Sequence, residues 1–185
     1  MNLYLPNLSW VYTHASEETR VEGAAWYLRA YREAKRLADD FCVDTEVAAA
    51  VIAALSPASY WGRNVIDARR IFTEFESATV QGYAANKLLA CRVVREQNPM
   101  LVKGLKTRPF WETIAHPLAD NVPVIDRHMI HAAVGQVLPD KERRQYYQAK
   151  NIQQVQEAVL QLAAIEDVRP CEVQATIWLV WRNSH

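Results

Sequence analysis

Apolar residues recur every three or four positions along most of this chain, which is the period of helices packed against a core. The pattern predicts a first helix that begins at about Ser16, a suitable N-cap residue, and ends at the acidic break around Asp39 and Asp40. Residues 1–15 show no such period and are predicted to form an extended arm packed on the body. The core-facing stripe of the first helix consists of Tyr27, Tyr31 or Ala30, Ala34, Ala38 and Phe41.

Residues 47–55 are apolar without interruption. They predict a second helix that is apolar on every face, with Thr45 as its N-cap. This helix should end at Ser56-Pro57, because proline lacks the N–H group that continues a helix and disfavours helical backbone in the residue before it. A helix without a polar face has to be covered on all sides, so it is predicted to be the buried central helix.

The rest of the chain is also predicted to be helical, because no segment alternates with the period of two that is typical of a strand. The chain should therefore be an all-α protein of about nine helices, folded as a single domain over residues 1–185 with two lobes. A third helix is expected to end at about Ile71-Phe72, and a loop at 74–79 separates it from a fourth helix over 81–94. A short helix should end at about Ala115, and another should begin at Asp140. The next helix is predicted to have Asn151 as its N-cap and a core stripe of Ile152, Val155, Val159 and Leu162, and the last helix is predicted over 172–182.

The amino-acid composition argues for a globular protein and against a membrane-spanning or disulfide-rich one. Half of the 185 residues are apolar, which is enough to bury a core, but the longest apolar runs are far shorter than the roughly 18 residues of a membrane span. The chain has no recognisable secretory signal, and its three cysteines are too far apart for a disulfide framework or a Cys-x-x-Cys metal site. We therefore expect an intracellular, cytoplasmic protein without a membrane partner.

The charge distribution is compatible with a nucleic-acid partner but does not require one. The formal net charge of zero argues against binding by long-range electrostatics alone. Residues 61–108 nevertheless carry nine Lys or Arg against four Asp or Glu. Solvated helix faces account for most such charges, and a local basic surface for phosphate groups is still permitted by them.

Asp126 occupies an unusual place for a carboxylate. The apolar run Val122-Pro123-Val124-Ile125 leads directly to it, and a helical pattern with Arg127, His128 and His131 follows. Aspartate is a good N-cap, so Asp126 can simply accept hydrogen bonds from the first amides of that helix. The alternative is a carboxylate that takes part in catalysis, and the local pattern permits both interpretations.

Three further groups of residues are candidates for binding. Gly104 allows a close backbone approach and lies among the basic residues Lys103, Lys106 and Arg108. Trp61 and Asn64 follow the Ser-Pro turn and fit a pocket rim, or else a core tryptophan beside a solvent-facing amide. Gln174 and Trp178 share one face of the last helix, where they fit either a pocket or an interhelical hydrogen bond and a core tryptophan.

The order of these features resembles the helix-hairpin-helix DNA glycosylase superfamily, over residues 45–135. Gly-x-Lys at 104–106 lies where that family has its hairpin Gly-x-Gly-x-Lys, and Lys106 precedes Asp126 by 20 residues. The chain departs from the family in lacking the first hairpin glycine, in having Arg127 where Thr is common, and in lacking the cysteine cluster that binds iron–sulfur in some members. The other similar segments are Val51-Ile52-Ala53-Ala54-Leu55-Ser56, Gly82-Tyr83 followed by Lys87, and Val124-Ile125-Asp126-Arg127-His128.

The resemblance implies a two-lobed helical fold whose hairpin and catalytic segment span about residues 82–135, in a divergent member without a cofactor. It implies cleavage of the N-glycosidic bond of a damaged or modified base in DNA, or action on a modified nucleotide. Asp126 would be the catalytic carboxylate, and Lys106 would be either an amine nucleophile or a phosphate contact. The implied base pocket is Trp61, Asn64, His128, Gln174 and Trp178, and the implied backbone contacts are Lys87, Lys103, Gly104, Arg108 and Arg127.

Two other classes of function remain as alternatives. One is a nucleic-acid-binding module that uses the same scaffold without catalysis. The other is a metal-dependent phosphohydrolase in which Asp126, His128 and His131, with His116, bind zinc or manganese, because His and Asp are ligands for both metals.

Overall fold

A computed structural model describes residues 2–57, 59–74, 80–120 and 122–184. These ranges contain ten α-helices and no strand, which confirms the all-α prediction and its count of about nine helices. The residues of the predicted loop beyond Glu74, 75–79, lie outside the described ranges. The helices are α1 (Leu5–Thr13), α2 (Glu17–Phe41), α3 (Thr45–Leu55), α4 (Trp61–Glu74), α5 (Ala84–Glu96), α6 (Thr107–Ala115), α7 (Arg127–Val134), α8 (Asp140–Arg143), α9 (Ala149–Glu166) and α10 (Pro170–Ser184), with 3₁₀ turns at Pro99–Leu101 and Arg144–Tyr147.

The chain divides into two compact units. One unit comprises Met1–Leu28 and Leu118–His185, and the other comprises Arg29–Pro117. We refer to them as the terminal unit and the central unit. None of the described helices is long and apolar enough to span a bilayer.

In the central unit, α3 packs against α4, α5 and α6. Every residue from Val47 to Leu55 is buried, which confirms the prediction of a central helix covered on all sides. The side chain of Asp44, which stands at the N-cap position of α3, makes no capping hydrogen bond, and Thr45 is the first helical residue instead of the predicted cap. Packing of its apolar faces, and not capping, therefore stabilises this helix.

The end of α3 explains the position of Asn64, which is 2% exposed instead of facing solvent. The Ser56 N–H bonds to the Ala53 carbonyl at the Ser-Pro turn, so the Ile52 carbonyl needs another donor. Asn64 Nδ2 donates to the Ile52 oxygen at 3.0 Å, and Asn86 Nδ2 donates to the Ala54 oxygen at 2.7 Å. Two asparagine amides therefore satisfy carbonyl groups at the C-terminal end of a buried helix.

The predicted extended arm over residues 1–15 is wrong, because Leu5–Thr13 form α1. Pro6 lies in the first turn, where the missing N–H group costs no intrahelical hydrogen bond. Leu8, Val11 and Tyr12 lie on one face and are buried in the terminal unit, where α1 packs against α7, α9 and α10. This nine-residue helix depends on that packing for its stability.

Helix boundaries agree only in part with the predicted caps. The Ser16 hydroxyl accepts a hydrogen bond from the Thr19 N–H at 3.2 Å, as expected of the N-cap of α2. Asp39 and Asp40 do not break that helix, which continues to Phe41. Gln148 and not Asn151 occupies the N-cap position of α9, although the predicted stripe of that helix is buried.

Gly23 marks a close approach of α2 and α10 in the terminal unit. A Cβ atom added at Gly23 would lie 2.8 Å from the Thr176 nitrogen and 2.9 Å from its Cα, and closer still to its Oγ1. Real Cβ atoms do not come so near to backbone atoms, so glycine is required at this contact. The absence of a side chain here sets the distance between the two helices.

Replacing Gly23 with alanine should therefore destabilise the protein by at least about 2 kcal/mol, because the methyl group would force the backbones of α2 and α10 apart. Gly62→Ala is the matched control, since Gly62 is also helical and exposed, with its nearest neighbour atom 3.9 Å from an added Cβ. That control should be neutral or stabilising by up to about 1 kcal/mol. Urea unfolding of both variants measures the difference, and equal stabilities would contradict the close contact.

Candidate active site

Asp126 is the N-cap residue of α7. The buried residues Pro123, Val124 and Ile125 fix the chain just before it, and its own backbone is extended. Its Oδ1 accepts hydrogen bonds from the backbone N–H groups of His128 at 2.9 Å and Met129 at 3.0 Å. The predicted cap is confirmed, and it holds one carboxylate oxygen in a defined position.

The second carboxylate oxygen of Asp126 is held from α10. Trp178 Nε1 donates a hydrogen bond to Asp126 Oδ2 at 3.0 Å. Both oxygens are thus fixed by N–H donors, two from the backbone of α7 and one from an indole ring. The sequence analysis predicted that Trp178 lines a base pocket, and the structure shows that its indole nitrogen contacts Asp126.

The ring of Trp178 is surrounded by other side chains of the terminal unit. The Arg182 guanidinium lies over its face, 4.6 Å from the ring centroid, one helical turn further along α10. Trp26 and His128 each contact it edge-to-face, with ring centroids 6.1 Å away. Trp26 and Arg182 were not among the predicted site residues. The helical period indicates which face of a helix a residue occupies, but it does not show which side chain of another helix that residue contacts.

Gln174 lies on the same face of α10, one turn before Trp178, and is 5% exposed. The Tyr27 hydroxyl of α2 donates a hydrogen bond to Gln174 Oε1 at 2.7 Å. Burial raises the pKa of Tyr27 well above its ordinary value, and the ionisable groups of Cys171 and Asp126 raise it further. Tyr27 is therefore a neutral phenol and a hydrogen-bond donor at physiological pH.

Two arginines neighbour the histidines of α7. Arg127 Nε donates to His128 Nε2 at 3.2 Å, and the Arg143 guanidinium lies 3.4 Å from His131 Nε2. Burial lowers the pKa of His131, and the positive charge of Arg143 lowers it further, with only Asp126 acting in the opposite direction. The surroundings of His131 therefore favour the neutral form of its imidazole.

The described residues contain no group of three or more His, Cys, Asp and Glu side chains that could hold a metal ion. His116, the upstream member of the hypothetical metal site, belongs to the central unit and contacts Glu46 there, with Nε2 and Oε1 2.7 Å apart. The part of the chain that the structure describes thus contains no ligand set for the phosphohydrolase alternative.

The basic segment around Gly104 belongs to the central unit. Gly104 has no positive φ angle, and an added Cβ would lie 2.7 Å from Thr107 Oγ1, a contact that rotation of the threonine side chain can relieve. Lys106 directly precedes α6, with its ammonium 6.0 Å from the Phe110 ring centroid. Lys103 is exposed, and Arg108 forms an ion pair with Glu112 at 2.9 Å.

The remaining predicted residues of the central unit are Trp61, Asn64 and Lys87. Trp61 is half-buried at the start of α4, and Lys87 is half-buried in the first turn of α5. The Asn64 amide donates a hydrogen bond to the Ile52 carbonyl at the end of α3. The structure therefore brings Asp126, Arg127, His128, Gln174 and Trp178 together within the terminal unit, while the other predicted residues belong to the central unit.

Fold and site together define an all-α protein with a carboxylate fixed at the start of a helix among aromatic and amide side chains. Residues 2–185 match a family model described as a family of unknown function (DUF7178), and the chain belongs to that family. No significant match was found among curated proteins or among solved structures. The chemistry of the site is consequently the basis for inferring a function.

The Trp178–Asp126 hydrogen bond predicts a measurable coupling between the two side chains. Trp178→Phe keeps an aromatic ring but removes the N–H donor, and Asp126→Ala removes the acceptor. In a double-mutant cycle, the two free energies of unfolding should fail to add by about 1–3 kcal/mol, as is typical of a hydrogen bond to a charged group. Trp10→Phe on the exposed surface of α1 is the control and should show additivity with Asp126→Ala.

His131 predicts a pH dependence of stability. Because its folded-state pKa lies below its ordinary value of 6.5, the unfolded chain binds more protons at acidic pH. The contribution of His131 is therefore complete above pH 6.5 and is lost as the pH falls below it, with a slope of at most about 1.4 kcal/mol per pH unit. His131→Gln should flatten the dependence of unfolding free energy on pH, as measured by urea unfolding at several pH values, and an unchanged slope would contradict the prediction.

Proposed function

We propose that the protein is a DNA N-glycosylase-like enzyme that uses Asp126 to cleave the N-glycosidic bond of a damaged or modified base, in DNA or in a modified nucleotide. The observation that carries the proposal is the Asp126 carboxylate, fixed through both oxygens at the N-terminus of α7. Breaking an N-glycosidic bond builds positive charge on the sugar, and a preorganised carboxylate stabilises that charge in the transition state.

The neighbours of Asp126 support this chemistry. The carboxylate is half-buried, so it is shielded from bulk water but still accessible to a substrate. Because the three donors already hold the carboxylate, little reorganisation is needed when charge develops on the substrate. The aromatic rings of Trp26 and Trp178 and the amide of Gln174 have the chemistry that recognises a base taken out of a helix.

Further roles are proposed for basic residues. Arg127 is exposed directly beside Asp126, where its guanidinium suits a phosphate next to the reacting sugar. Lys87, Lys103 and Lys106 of the central unit, with the backbone at Gly104 and Arg108, are proposed to contact the nucleic-acid backbone. Asn64 is assigned to the fold and not to the base pocket, because its amide donates to α3.

The test is a screen of single- and double-stranded oligonucleotides and free nucleotides that carry modified bases, with released base measured by mass spectrometry. Wild-type protein should release base from at least one substrate, and Asp126→Asn should lower the rate by about 10²–10⁴-fold because the amide carries no negative charge. Asparagine remains a good N-cap, so the variant should still fold and bind substrate. Asp120→Asn, an exposed carboxylate, is the matched control and should keep wild-type activity.

Two results would contradict the proposal. Base release that is unchanged in Asp126→Asn would exclude the carboxylate from the reaction, and no release from any substrate would favour the binding module. Borohydride in the same assay also distinguishes the roles of Lys106. An amine nucleophile would be trapped as a covalent adduct that Lys106→Ala cannot form, whereas a phosphate contact gives no adduct and weaker binding in that variant.

A further inference from the structure

Tyr27 and Gln174 form a polar pair inside the terminal unit. Tyr27 is 3% exposed and Gln174 is 5% exposed, and their hydrogen bond of 2.7 Å joins α2 to α10. Burying an amide and a phenol is costly unless both are hydrogen-bonded. Apolar residues of similar size would fill the same space without that cost, so a purely structural role explains the pair poorly.

The direction of the hydrogen bond determines which end of the Gln174 amide is used. The phenol donates, so Oε1 is the acceptor, and the two N–H bonds of Nε2 point elsewhere. Among the residues that the structure describes, none accepts a hydrogen bond from Gln174 Nε2. Buried amides are normally satisfied at both ends, and this one has two donors left for another molecule.

The position of these donors links them to Asp126. Gln174 and Trp178 are separated by one turn on the same face of α10, and the Trp178 indole binds the carboxylate of Asp126. On α2, Tyr27 follows Trp26, whose ring contacts Trp178 edge-to-face. Gln174 therefore lies on the face of α10 that also carries the Trp178 indole, which holds the carboxylate of Asp126.

The geometry of the pair is enforced by the helix contact at Gly23. Gly23 and Tyr27 are separated by one turn of α2, and Thr176 lies two residues after Gln174 on α10. The two backbones meet at Gly23, and one turn further along α2 the phenol of Tyr27 lies 2.7 Å from Gln174 Oε1. An amide held in this way is preorganised for one orientation of a ligand.

We propose that Gln174, oriented by Tyr27, is a specificity-determining residue whose amide N–H₂ group donates to a carbonyl oxygen of the substrate base. This inference rests on the proposed function and names its substrate class: bases with an oxo group, such as the 4-oxo pyrimidines and 6-oxo purines, in preference to their amino counterparts. An amino group at the same position would place N–H donors against N–H donors. Both would then be desolvated without a partner, and sites of this kind discriminate strongly.

The test measures binding and not catalysis. The probes are two nucleoside pairs, deoxyuridine with deoxycytidine and deoxyinosine with deoxyadenosine, in which an oxo group is replaced by an amino group. Each is titrated at millimolar concentration into ¹⁵N-labelled protein, and the side-chain amide resonances of Gln174 are followed by NMR. Both oxo members should shift these resonances and bind at least about tenfold more tightly than their amino counterparts.

Two variants separate recognition from structure. Gln174→Glu keeps the acceptor for Tyr27 but replaces the N–H₂ group with an oxygen, so it should abolish or reverse the preference. Gln161→Glu is the matched control, since Gln161 is exposed on α9 and undergoes the same chemical change. It should bind like wild type. Tyr27→Phe frees the amide to rotate and should reduce the preference while binding is retained.

Equal binding of the oxo and amino members by wild-type protein, no binding of either, or an unchanged preference in Gln174→Glu would overturn the inference. These outcomes are distinct from failure of the proposed function. Base release that depends on Asp126 but not on Gln174 would leave the enzyme proposal intact and refute the specificity proposal. Oxo-selective binding without base release would do the reverse.

Discussion

The contact between Gly23 and Thr176 is the constraint on which the candidate site depends. It allows the backbones of α2 and α10 to approach more closely than any other residue would permit at position 23. The approach places Tyr27 within hydrogen-bond distance of Gln174 and Trp26 against Trp178. A site built on packed helices in this way is held more precisely than one carried on loops. The absence of one side chain therefore determines the position of several others.

Asp126 combines an observed structural role with the chemical role that we propose for it. The amides at the start of α7 need an acceptor, and a carboxylate at that point stabilises the helix. The same hydrogen bonds orient the carboxylate, and the Trp178 indole adds a third donor from another helix. Capping and catalysis are thus not competing explanations of this residue, because the first provides the geometry that the second requires. The Arg182 guanidinium over the Trp178 ring and the edge contact of Trp26 fix the indole in turn.

Both units bury a side-chain amide, but the two amides have different hydrogen-bond partners. In the central unit, the Asn64 amide donates to the carbonyl of Ile52 at the end of a buried helix, and its Oδ1 is buried without a described hydrogen-bond partner. In the terminal unit, Gln174 accepts from Tyr27 and retains donors that no described residue uses. Both residues were candidates for base recognition on chemical grounds, and only their hydrogen-bond partners distinguish them. Unsatisfied hydrogen-bonding capacity near a fixed carboxylate is the feature that favours a ligand.

The sequence by itself determined the helical class, the buried central helix, the cap at Asp126 and the shared face of Gln174 and Trp178. Each of these follows from local spacing, because the helical period and capping preferences act within a few residues. Helix α1 was missed because its stability comes from packing and not from its own pattern. Only the tertiary structure decided that Trp178 donates to a residue 52 positions away and Tyr27 to one 147 positions away. The spacing of residues along a chain carries no information on such distances, since they are set by how helices pack and where a missing side chain lets them meet.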